Sequence, residues 1–330
     1  MSVTMTLDEI RGYVIGYGLL NNPIISLLGR GESNINYLAD DDGQKLVIRI
    51  ARPDVPEYFR FEAEHHFMLF VEALGIKFAP RSVHYDPVRN IHIVSYVDGR
   101  DASVIDLNAK QTNIFVSQLK RLNAVTYDEY LDWCKKTGQS PRNPVALESR
   151  NKMYLKDKLQ AIREHIVTSH FASQVIEWAV PKIEVLKMSE NGVEPRTVFL
   201  HNDLRWSEGG GNIKIVHDKV FFIDWELSGF FGNAVPEVGD VLGSIPHINE
   251  NILKRLYATY VSNEPNLEQL NKAIKYGVLW GRLGNTVWAA ERYLFLTKAN
   301  HPEAERYKHL AEIGMRDAEP FFDLPFEQWF

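Results

Sequence analysis

Three groups near the middle of the chain carry residue types that could do chemistry together. His201-Asn202-Asp203-Leu204 places a carboxylate in a short polar break after the apolar Val198-Phe199-Leu200. Asn212 follows Asp203 at a distance of nine residues, and Asp224 ends the apolar run Val220–Ile223, just ahead of Trp225 and Glu226. Phosphoryl transfer needs such a set: one carboxylate to orient or deprotonate a hydroxyl, and an amide oxygen and a second carboxylate to hold a hard cation. Magnesium takes few protein oxygens and completes its octahedron with water and phosphate, which suits Asn212 and Asp224. Each acid alone is an ordinary turn residue. The β–loop–β setting that they share points to one metal-and-base constellation.

The elements needed to hold these residues can be read along the chain. Residues 7–20 carry apolar positions at helical spacing, with Thr6 or Asp8 as the cap. Strand patterns follow at 24–28, 34–39 and 46–50, the last two joined by the hairpin signal Asp41-Asp42-Gly43. Residues 57–74 read as a helix ended by Gly75, and 82–85 and 91–96 as two more strands. This order predicts a mostly antiparallel α+β lobe over residues 1–97. Val97-Asp98-Gly99-Arg100 reads as a hinge, and residues 98–330 as a mainly helical lobe, with helices at 108–123, 149–168, 170–189 and beyond Pro246. Short β-like pieces at 198–201, 213–216 and 220–224 interrupt it. A cleft between two such lobes is a preferred ligand site.

Composition narrows the classes. Hydrophobic residues make up 45% of 330 and charged residues 24%, which excludes a disordered or collagen-like chain. A formal net charge of −6 gives no basic field for nucleic acid. Cys134 is the single cysteine, so an intrachain disulfide and the Cys-rich zinc patterns are excluded. No apolar run reaches the roughly 18 residues of a membrane-spanning helix, and the N-terminal segment lacks the basic start of a signal peptide. A cytoplasmic protein is the expectation.

The stretch His201-Asn202-Asp203-Leu204, Asn212, Phe221-Phe222-Ile223-Asp224-Trp225-Glu226 resembles the catalytic region of the aminoglycoside phosphotransferase/choline kinase superfamily. Asp240 in Pro236-Glu237-Val238-Gly239-Asp240 is similar to a further Asp that the superfamily places at a helix start. The resemblance covers roughly residues 20–300. It implies a two-lobed protein-kinase-like fold with ATP and Mg2+ between the lobes. On that basis Asp203 is the catalytic residue, with His201 bracing its loop, and Asn212 and Asp224 are the metal ligands. Gly29, Gly31 and Ser33 lie in the turn expected to cover the phosphates, where glycine lets backbone N–H groups approach. Arg49 matches the strand cation that contacts the α/β-phosphates, and its planar fork suits them. Lys45, four residues earlier, is its backup. The helix carboxylate holding that cation matches Glu62, with Glu64 as the competitor. Two helix residues that far apart differ by roughly 200° of rotation, and Glu62 is favoured because it is three and four residues from Tyr58 and Phe59.

One departure bears on the metal. Glu208 stands five residues after Asp203, where the superfamily has Asn, and Trp206 to Gly211 read as an insertion ahead of Asn212. Asn212-Ile213-Lys214-Ile215 resembles the sequence that follows the superfamily Asn, so the metal is assigned to Asn212, with Glu208 as the substitute. The acceptor expected is a small molecule with a hydroxyl, possibly cationic. Trp206, Glu226, Trp280 and Trp288 are candidate contacts, since aromatic faces attract ammonium groups. Packing inside the helical core is the competing role for the tryptophans. The function implied is ATP-dependent phosphotransfer of the aminoglycoside phosphotransferase kind. A choline/ethanolamine-type kinase and a nucleotide-binding pseudokinase are the alternatives.

Overall fold

The computed structural model describes residues 5–31, 34–52, 61–102, 107–190, 193, 196–204, 211–234, 237–244, 250–262 and 264–329. Contacts divide the chain into two compact units, one of residues 1–101 with 212–228 and one of 102–211 with 229–330. The expected boundary at 97/98 therefore shifts by a few residues, and the Asn212–Ser228 segment joins the first unit.

In the first unit, helix α1 (Leu7–Gly16) starts in a reciprocal cap between Thr6 and Glu9. Strands β1 (Ile24–Arg30), β2 (Asn34–Asp41), β3 (Gln44–Ala51), β4 (Ser82–Asp86) and β5 (Ile91–Ser95) form one antiparallel sheet. Its order is β1-β2-β3-β5-β4. Helix α2 (Glu62–Ala73) lies between β3 and β4 in sequence. Side chains alternate along β3. Leu46, Ile48 and Ile50 join Ile10 and Val14 of α1 in a core cluster with Ile91 and Ile93. Arg49 falls on the opposite face. Strands β6 (Arg100–Asp101), β9 (Ile213–Val216) and β10 (Lys219–Phe222) make a second, small sheet. It leads into a 3₁₀ turn at Trp225–Leu227.

The second unit is mainly helical. Helices α3 (Ala109–Asn123), α4 (Tyr127–Thr137), α5 (Leu147–Arg163) and α6 (His170–Ser189) precede the site-bearing loop. Helices α7 (Val238–Ser244), α8 (Glu250–Val261), α9 (Leu267–Lys298) and α10 (Ala304–Asp323) follow it. The long α9 packs against α5, α6, α7 and α10. A three-stranded sheet of β7 (Val145–Ala146), β11 (Gly229–Ala234) and β8 (Arg196–Leu200) carries the chain to His201. Helix α4 and strands β7 and β11 are absent from the sequence reading. Among the described residues no helix is long and apolar enough to cross a membrane.

Candidate active site

The first unit gathers three carboxylates, of Glu64, Asp224 and Glu226, around the Arg49 guanidinium. Arg49 on β3 is buried, and both of its terminal nitrogens are engaged. Its Nη1 pairs with Glu64 Oε1, and its Nη2 lies 2.6 Å from Asp224 Oδ1 and 3.3 Å from Glu226 Oε2. Burial works against the Arg49 charge, but Glu64, Asp224 and Glu226 outweigh it and hold the group charged above its ordinary range. Burial likewise pushes the Glu64 carboxyl up, and Arg49 followed by His92 overrides it, holding it at about 2. The helix carboxylate that pairs with the cation is thus Glu64, a correction to the expectation of Glu62. The reason is rotation on α2. Glu64 shares the inward face with Phe67, Met68 and Val71, whereas Glu62, in the first turn, is exposed. Tyr58 and Phe59, which supported Glu62, lie outside the described residues.

Asp224 reaches Arg49 from a left-handed backbone, φ 64° and ψ 66°. Aspartate tolerates that region better than most residues. The next residue pins the turn: Trp225 is fully buried, its Nε1–H donates to the Phe222 carbonyl at 2.8 Å, and its backbone N–H donates to Glu64 Oε1 at 3.2 Å. The Asn212 carbonyl accepts the Ile223 N–H at 2.9 Å, extending the β9–β10 ladder beyond Ile213↔Phe222. Asn212 and Asp224 therefore stand at the same end of one hairpin. An amide oxygen and a carboxylate are hard donors of the kind that fits magnesium.

Gly29 and Gly31 sit at the β1–β2 turn, where the Gly31 N–H donates to the Asn34 carbonyl at 2.9 Å. Among the described residues, a Cβ at Gly29 would meet nothing within 4 Å. Ser33 lies outside the described residues, as do Trp206 and Glu208. Lys45 is turned to Asp98 at 3.5 Å rather than to the Arg49 cluster.

The second unit holds the Asp203 loop. His201 is fully buried and Asp203 nearly so. The His201 and Asn202 N–H groups donate to the two oxygens of Glu237, at 3.0 and 2.5 Å, which supports the left-handed turn at Asn202. Asn123, the last residue of α3, donates to the Phe199 carbonyl at 3.2 Å and accepts the Glu237 N–H at 3.3 Å. Glu237 is the brace that sequence reasoning missed. Its only signal is a carboxylate three residues ahead of Asp240 at the start of α7. Burial pushes it up to about 8 despite the His201 donor, and Asp240 and Asp203 add to the rise.

The acceptor candidates among the described residues are Glu226, Trp280 and Trp288. Glu226 sits on Arg49 in the first unit. Trp280 meets Tyr154 of α5 edge-on with ring centres 6.1 Å apart, and Trp288 meets Tyr307 of α10 at 5.5 Å. Eight residues on a helix leave them roughly 80° apart, so they pack against different helices and do not form one aromatic cage.

A family model described as the phosphotransferase enzyme family, APH, matches residues 24–261. Solved structures are similar over nearly the whole chain. The complex of spectinomycin phosphotransferase APH(9)-Ia with ADP and spectinomycin aligns at a TM-score of 0.66 and 13% identity, over 96% of this chain and 100% of that one. Plasmodium vivax ethanolamine kinase aligns at 0.62 and 16%, over 100% and 92%. Choline kinase LicA from Streptococcus pneumoniae aligns at 0.60 and 15%, over 94% and 98%. At these identities the likeness speaks for the fold, an antiparallel N-terminal sheet followed by a mainly helical part. No curated protein sequence matches the chain.

Proposed function

Because the chain belongs to the phosphotransferase enzyme family, we propose that it moves the γ-phosphate of ATP to a hydroxyl of a small, amine-bearing acceptor. The observation that carries this is the fork of Arg49 between Glu64 and Asp224, with Asn212 at the same hairpin end. A permanently charged fork beside two hard oxygen donors suits a triphosphate and its cation, and little else. Arg49 binds the α/β-phosphate oxygens, and Glu64 keeps it from swinging away. Gly29 lets the phosphates approach the backbone of the β1–β2 turn. Asn212 and Asp224 would hold magnesium, which when bound supplies positive charge at the phosphate oxygens. Asp203 orients the acceptor hydroxyl and takes its proton as the oxygen attacks in line. Glu237 and buried His201 hold the Asp203 loop in place. The acceptor is of the aminoglycoside kind. The choline/ethanolamine kind is the second reading, favoured by neighbours named for ethanolamine and choline. Both join a hydroxyl to a basic nitrogen, and the net charge of −6 suits such a cation. The reaction belongs to the cytoplasm, where ATP is available.

The test is ADP release from purified protein, MgATP and a panel of aminoglycosides, choline, ethanolamine, homoserine and sugars. Acceptor-dependent release that falls by about 10³-fold or more in Asp203→Asn and in Asp224→Ala is expected. Turnover that survives Asp203→Asn removes the role given to Asp203. Nucleotide binding without transfer to any acceptor identifies a pseudokinase instead.

A further inference from the structure

The first unit contains a polar chain, buried at its Ser82, His92 and Glu64 end, whose serine and histidines the phosphotransfer reading leaves unused. It runs from His65 on α2 through Ser82 on β4 and His92 on β5 to Glu64. His65 Nδ1 lies 2.7 Å from Ser82 Oγ, Ser82 Oγ lies 2.8 Å from His92 Nε2, and His92 Nδ1 lies 3.0 Å from Glu64 Oε2. His92 is fully buried and Glu64 is 1% exposed.

The hydrogen positions follow from the ends. Glu64 is an ionised carboxylate beside Arg49 and can only accept, so His92 Nδ1 carries a hydrogen. With a single ring hydrogen, placed there, the Nε2 lone pair accepts the Ser82 hydroxyl. The Ser82 oxygen in turn accepts the Nδ1–H of His65. Burial, with His92 and His66 nearby, lowers His65 to about 4, so its ring is neutral and has one N–H to give. In that tautomer every donor in the chain points toward Glu64, and hydrogen bonds aligned this way polarise one another. The order serine–histidine–carboxylate is also that of a hydrolase triad. Here, however, Ser82 is buried and its oxygen already receives His65, so the arrangement orients and does not attack.

The two oxygens of Glu64 divide the work. Oε2 is taken by His92, while Oε1 receives both Arg49 Nη1 and the Trp225 N–H next to Asp224. We infer that His92 is a positioning residue for the nucleotide-binding cation: by holding Oε2 it fixes the carboxylate plane that aims Arg49. This rests on the reading of Arg49 as the phosphate-binding cation.

The experiment measures MgATP affinity by titration, and the KM of ATP and of the acceptor, for wild type, His92→Phe, His92→Asn, Glu64→Gln and His92→Phe with Glu64→Gln. One lost hydrogen bond to a charged group predicts about ten-fold weaker MgATP binding in His92→Phe, with the acceptor KM unchanged. His92→Asn retains an N–H near the Nδ1 position and recovers most of the loss. In the Glu64→Gln background, His92→Phe adds less than about two-fold, because the group it acts through is gone. Wild-type affinity in His92→Phe, or the full loss persisting without Glu64, overturns the inference while leaving the Arg49 reading intact. If His92→Phe does not fold, Ser82→Ala decides. It releases the far side of the ring without touching Glu64, and an affinity loss of about two- to three-fold that vanishes in Glu64→Gln is expected. No loss in Ser82→Ala overturns the inference. A wild-type protein that binds no nucleotide overturns both.

Discussion

Glu64 and Glu62 stand two residues apart on α2, yet the structure gives them opposite weights. Glu64 neutralises part of a buried guanidinium, and removing one partner of a buried pair strands the other charge. Glu64→Ala is therefore expected to lower stability by about 3–5 kcal/mol. Glu62→Ala, at an exposed position, should cost less than about 1 kcal/mol. Denaturant unfolding of the two variants checks the contrast, and equal losses would return Glu62 to the site. The Asp203 loop offers a second residue-scale test through Glu237. Its carboxyl rises from the ordinary 4.5 to about 8 on folding. Between those values the unfolded chain has lost the proton and the folded chain retains it, so this group's contribution to stability falls as pH rises through that window. Glu237→Gln removes that slope, and unfolding midpoints measured from pH 5 to 8 should flatten relative to wild type. Local order and the family resemblance singled out Asp224 after an apolar strand and Arg49 within one, and the structure brings those two side chains together. Which of two nearby acids turns inward depends on the exact phase of a helix. That phase is set by the packing of Phe67, Met68 and Val71 and not by spacing. Glu237 was hidden for a related reason, since its partners are backbone N–H groups 35 and 36 residues away, which leave no mark on composition.

At the scale of elements, α7 and α9 approach so closely that only glycine fits between them. A Cβ at Gly277 would stand 2.8 Å from the Gly239 Cα, and one at Gly243 would stand 2.7 Å from the Val278 carbonyl oxygen. Backbone meets backbone there, and neither side can yield. Gly277→Ala is expected to destabilise by about 1–3 kcal/mol through overpacking, even after the roughly 1 kcal/mol that alanine contributes to helix propensity. Gly284 on the same helix is the opposite case. A Cβ there meets Trp280 at 3.5 Å, an ordinary contact, so Gly284→Ala should stabilise by up to about 1 kcal/mol. Thermal melting of the two variants should shift in opposite directions, and two downward shifts would refute the contact argument. The close approach also sets α7, with Asp240 and the Glu237 brace ahead of it, against the longest helix of the unit. Strong patterns made β1 to β5 and the long helices legible. Helix α4 was not, although Thr126 and Glu129 form a capping box and Gly138 ends it in a left-handed turn. Its buried residues are Tyr130 and Cys134, with Tyr127 packed on Phe230 beside them, a short apolar face in a helix rich in charge. Strand β11 carries two glycines and two phenylalanines in six residues, a run whose pairing with β8 only the tertiary structure supplies.

At the scale of the whole molecule, the chain leaves the first unit after Asp101 and returns for Asn212–Ser228. A boundary drawn along the sequence misses this, because the returning segment is β-like among helices and its partners are far away in the chain. Its attachments are specific. The Phe222 N–H donates to the Phe78 carbonyl at 2.8 Å, β9 pairs with β6 through Arg100↔Ile215 and Asp101↔Lys214, and Lys214 Nζ lies 2.6 Å from Asp101 Oδ1. The segment also delivers Asp224, Glu226 and buried Trp225 to the Arg49–Glu64 pair. Residues 1–101 alone would leave that pair without two carboxylates and a backbone donor, and would expose the surface that Trp225 covers. The antiparallel register at Asp101↔Lys214 places the end of residue 101 within a short turn of residue 212, so a Gly-Ser linker of about four residues can join them. The joined fragment, 1–101 linked to 212–228, is expected to unfold in one cooperative transition by circular dichroism and to show dispersed amide resonances. The 1–101 fragment should melt at a lower temperature and over a broader range. Coincident transitions would mean that the returning segment is a passenger of the first unit. Separated ones would mean that Arg49, Glu64 and the hairpin bearing Asp224 fold as one piece.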